Sequence, residues 1–118
     1  MKTGKISQAV LDRCVLRPIK LAGLQMADGV SVGGDSACFP VVQGRMAVTS
    51  VCAAIGEKPG RSLQMLLAGA VDNLEVSGAR AQQLVLDLMI PSSEEEETIR
   101  DLMKQYASFC AEHRVQPA

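Results

Sequence analysis

Aromatic side chains are scarce in this sequence, which has no Trp, one Tyr and two Phe among 118 residues. So few rings leave no platform on which successive bases could stack. Charge of either sign is also without excess: 12 Lys and Arg face 13 Asp and Glu, for a formal net charge of −1. The chain therefore carries no basic footprint for nucleic acid or anionic membrane. There is a single histidine, His113, and none of the cysteines Cys14, Cys38, Cys52 and Cys110 forms a C-x-x-C pair. Zinc-type ligand spacing is absent. No base partner accompanies any thiol, so the cysteines read as buried thiols of a reducing compartment rather than as nucleophiles. No apolar run approaches membrane-spanning length, and the opening "MKTGKISQAVLDRCVL" lacks the apolar centre of a signal peptide. Together these absences point to a cytoplasmic protein with neither nucleic-acid nor membrane partners.

What is present is an apolar content of 47%, in a chain whose length suits one domain. A domain of this size buries roughly 65% of the surface its unfolded chain exposes, enough for a core without covalent staples. "SQAVLDRCVLRPI" reads as a short helix with Ser7 as N-cap and Val10, Cys14 and Val15 at helical spacing, stopped or kinked by Pro18. Four glycines follow between Gly23 and Gly34, a density that permits tight turns and close backbone approach. "SACFPVV" and "RMAVTSV" read as two strands joined by a Gln43-Gly44 turn, with Pro40 marking an edge or a bulge.

From Pro59 to Ser77 the chain reads as its longest apolar helix. Leu63, Leu66, Leu67, Ala70, Val71 and Leu74 form the buried stripe, and Gly78 closes the helix. Asp72 and Asn73 fall at one margin of that stripe. "QQLVLDLMI" alternates as a strand, with Leu84, Leu86, Leu88 and Ile90 on one face and Val85, Asp87 and Met89 on the other. A last helix begins after Pro91, with capping boxes available from Ser92 to Glu95 or Ser93 to Glu96. Its stripe is Ile99, Leu102, Met103, Tyr106 and Cys110. The four consecutive Glu read as a solvated helix start, and His113 as a surface residue near the helix end. The order α–β–β–α–β–α predicts an α+β fold, with helices on one face of a small, mostly antiparallel sheet. Its other face calls for a cover, which a second copy would supply.

Four motifs in order then resemble one family. "GKISQAVLDRCVL", "GGDSACF", "MAVTSV" and "AVDNLEVSGA" are similar to the opening, the Gly-Asp-Asp segment, the Thr-Thr-Asp strand and the Val-Asn-Asp-Leu helix of a known N-terminal domain. It is that of the aminoimidazole-ribonucleotide (AIR) synthase-related superfamily, which includes the hydrogenase maturation carbamoyl-dehydratase, selenophosphate synthetase and thiamine-monophosphate kinase. The resemblance spans nearly the whole chain, 1–118, and implies a PurM-like domain that pairs as a dimeric β-barrel. It also implies that the usual C-terminal domain is absent here. ATP and Mg²⁺ would lie along the dimer's clefts. Gly33, Gly34, Asp35 and Asn73 would stand at the nucleotide, and Asp35 and Asp72 at the metal. Hard Mg²⁺ suits carboxylate and phosphate oxygens, and Gly-rich backbone can approach phosphates closely.

Residue by residue the match is degraded. Gly34 replaces the polar or acidic residue before Asp35, Val51 stands where the strand motif ends in Asp, and Asp72 and Asn73 occur in inverted order. A one-residue shift on a helix rotates a side chain by about 100°. The resemblance with these losses leads to an expectation of a homodimerising module whose ATP and Mg²⁺ site is degenerate. The alternative is the nucleotide-binding half of an ATP-dependent synthase or hydrogenase-maturation-type enzyme, whose C-terminal half is truncated or supplied by a separate C-terminal-domain partner. No general base is visible for covalent catalysis. An unrelated α+β ligand-binding domain is the third reading.

Overall fold

A computed structural model of the chain describes residues 4–27, 30–31 and 59–118. The strands expected at 36–42 and 45–51, Cys38 and Cys52, and the motif residues Gly33, Gly34, Asp35 and Val51 lie outside them.

The first helix, α1, runs over residues 8–21 in three contiguous pieces: α-helical Gln8–Val10, π-helical Leu11–Leu16 and α-helical Arg17–Leu21. Ser7 caps it as expected, its Oγ accepting from the Val10 N–H at 3.3 Å and its carbonyl from the Leu11 N–H at 2.9 Å. Pro18, however, does not stop the helix. A proline ring in an α-helix collides with the carbonyl four residues back and leaves a bond unmade. Here the turn upstream is π-helical, with the Arg17 N–H reaching back five residues to the carbonyl of Asp12, and Pro18 falls in the first turn of the α-helical piece that follows. The wider turn also changes which residues face inward: Cys14 and Ile19, five apart, are both buried.

Helix α2, Pro59–Val76, starts on a proline whose missing N–H costs nothing in the first turn. Leu63, Leu67 and Val71 are buried and Leu66, Ala70 and Leu74 half-buried, which is the predicted stripe. The helix ends in a Schellman motif. The Gly78 N–H donates to Glu75 O at 2.9 Å and the Ala79 N–H to Leu74 O at 3.0 Å, with Gly78 at φ +81°.

Helix α3, Glu96–His113, is the centre of the core, and both α1 and α2 pack on it. Ile99, Leu102, Met103, Tyr106 and Cys110 are all buried, joined by Ala107 and Phe109. Neither serine of the predicted capping boxes stands at the N-cap of the helix. Glu95 takes the N-cap position with extended backbone and no side-chain cap, and Ser92 and Ser93 precede the helix. Glu96 and Glu97 still place negative charge at the favourable end of the helix dipole. At the other end Arg114 is left-handed (φ 55°), and Cys110 O accepts from the N–H of both Arg114 and Val115.

The sheet is short. Strand β1, Gln83–Leu84, pairs in parallel with β2, Gln116–Pro117. A mostly antiparallel sheet is expected from the sequence; the ladder among the described residues is instead parallel. The reason is topological: β1, α3 and β2 form a strand–helix–strand crossover, which returns the second strand in the direction of the first. Gln116 N–H donates to Gln82 O at 2.7 Å and Ala118 N–H to Leu84 O at 3.1 Å. Pro117 sits between these two donors, so its missing N–H takes nothing from this ladder. Its carbonyl faces the other way and accepts from the Ala27 N–H at 3.2 Å.

Only Gln83 and Leu84 of the expected 82–90 strand join the ladder, yet the alternation persists beyond them. Leu84, Leu86, Leu88 and Ile90 pack against the core, whereas Val85, Asp87 and Met89 are exposed. The described residues thus form an α+β arrangement of three helices and a two-stranded sheet. No helix among them is long and apolar enough to cross a membrane.

Candidate functional site

Asp72 and Asn73 lie in the penultimate turn of α2, both exposed, between buried Val71 and half-buried Leu74. Neighbouring side chains on a helix point about 100° apart, so the pair spreads across the solvent face. Asp72 and Glu75 occupy the C-terminal part of α2, where the negative end of the helix dipole opposes a carboxylate. Neither Asp72 nor Asn73 is hydrogen-bonded through its side chain to another described residue. The other predicted site residues, Gly33, Gly34 and Asp35, lie outside the described part of the chain.

The donor set around Asp72 can be compared with what ATP and Mg²⁺ require. Mg²⁺ demands near-octahedral oxygen ligation and is commonly held by one or two carboxylates together with phosphates and water. Among the described residues, no three His, Cys, Asp or Glu side chains converge to hold a metal. Asp35, the other residue expected at the metal, lies outside the described residues.

Two polar junctions are better defined, and both are structural. At the first, Arg13 from the π turn of α1 donates to Glu96 Oε2 at 2.5 Å, and the buried Cys14 thiol lies 3.9 Å from the same oxygen. Glu96 thus serves as more than a solvated helix start: it fastens α1 to the first turn of α3. The partners are 83 positions apart in sequence, so no local pattern announces the contact. Both side chains are about two-fifths exposed, which makes the ion pair a positioning contact rather than a large source of stability.

At the second junction the Tyr106 hydroxyl donates to Leu84 O at 2.5 Å. Burial pushes the nearby Cys110 thiol up to about 11, with the Tyr106 hydroxyl bond acting in the opposite direction. A thiol so held is protonated at neutral pH and a poor nucleophile. His113 is exposed at the end of α3 and stacks on Phe109 with ring centroids 4.1 Å apart.

The outward side of the extended 82–90 segment mixes apolar and charged side chains. Val85 and Met89 are 72% and 91% exposed there, with exposed Asp87 between them. No family model, curated protein or solved structure matches the chain.

Proposed function

We propose that the chain acts by association: a homodimerising module of the AIR synthase-related N-terminal type, with a degenerate ATP and Mg²⁺ site. The observation that carries this reading is the outward face of the 82–90 segment. There Val85 and Met89 lie exposed on either side of Asp87, beyond the two residues that join the short parallel ladder. Apolar side chains along a strand-like segment favour pairing with another chain. The family element rests on the four sequence motifs. The degenerate element rests on Gly34, Val51 and the inverted Asp72-Asn73 order. A cytoplasmic setting is part of the same reading, in keeping with Cys14 and Cys110 as buried free thiols.

The test is the molar mass in solution by light scattering. A dimer that dissociates when Val85 and Met89 are both changed to Lys supports association through this face. A monomer at all accessible concentrations contradicts it.

A further inference from the structure

We draw no further inference here: the strongest candidate, the apolar cavity of about 90 Å³ between α1, Leu86, Met103 of α3 and the C-terminal strand, is an unpartnered apolar face, and nothing in the structure shows what covers it.

Discussion

The hydroxyl of Tyr106 donates to the carbonyl oxygen of Leu84 across 2.5 Å, joining the middle of α3 to the end of β1. The same oxygen accepts the Ala118 N–H at 3.1 Å. One acceptor thus holds helix, first strand and second strand together. Because Tyr106 is also 2% exposed, its ring and its hydroxyl contribute separately. Tyr106→Phe removes the hydroxyl, with its bonds to Leu84 O and the Cys110 thiol, and leaves Leu84 O satisfied by Ala118. The expected loss is about 1 kcal/mol, read from the urea midpoint at unchanged slope. Tyr106→Ala removes the ring as well and is expected to cost about 3–5 kcal/mol, as truncating a buried aromatic does.

Stability should fall in mild alkali. Burial raises the Cys110 thiol from its ordinary 9.0 to about 11, and burial followed by the neighbouring Cys110 raises Tyr106 in the same direction. As pH passes 9, the unfolded chain releases a thiol proton that the folded chain keeps. The folded state then binds more protons, and stability declines as pH rises. The contribution from Cys110 is complete below about pH 9 and gone above about pH 11. Urea midpoints measured from neutral pH upward should show this decline, and Cys110→Ala should make it shallower. A midpoint that rises across the same range would contradict the burial of these two groups.

Two backbone positions carry residues that do not suit them, and a third carries one that does. Arg114 holds a left-handed conformation that a glycine adopts freely, so Arg114→Gly should stabilise by about 0.5–1 kcal/mol. Gly69 lies inside α2 with nothing within 4 Å of where a Cβ would sit. Gly69→Ala should add about 0.5–1 kcal/mol through helix propensity. Gly78 is the control: it needs its φ of +81°, and Gly78→Ala should destabilise by about 1 kcal/mol. Thermal melts of the three variants check the signs together.

Much of the helical framework was legible because its signals are local. The α3 stripe from Ile99 to Cys110, the α2 stripe from Leu63 to Leu74 and the Gly78 terminus each follow from periodicity or φ preference. The alternation of Leu84 to Ile90 was legible for the same reason. What escaped depends on distant partners. The 116–118 segment has no strand pattern of its own and is ordered by the bonds of Gln116 to Gln82, Pro117 to Ala27 and Ala118 to Leu84. Pro18 reads as a stop because local rules assume an α-helical turn, whereas the turn upstream is π-helical. The serines at 92 and 93 offered caps that the helix bypassed, starting where Glu96 meets Arg13. Of the candidate site, the marginal position of Asp72 and Asn73 was readable from the helical wheel, and both are exposed.

The central claim is association without a working nucleotide site, and calorimetric titration tests it most directly. ATP would be titrated into the purified chain with and without Mg²⁺, on protein whose mass has been measured by light scattering. The expected result is a folded dimer that gives no binding heat at millimolar ATP, with Asp72→Ala and Asn73→Ala indistinguishable from the parent. Micromolar, Mg²⁺-dependent binding that disappears in Asp72→Ala would contradict it and make the pair part of a functioning site.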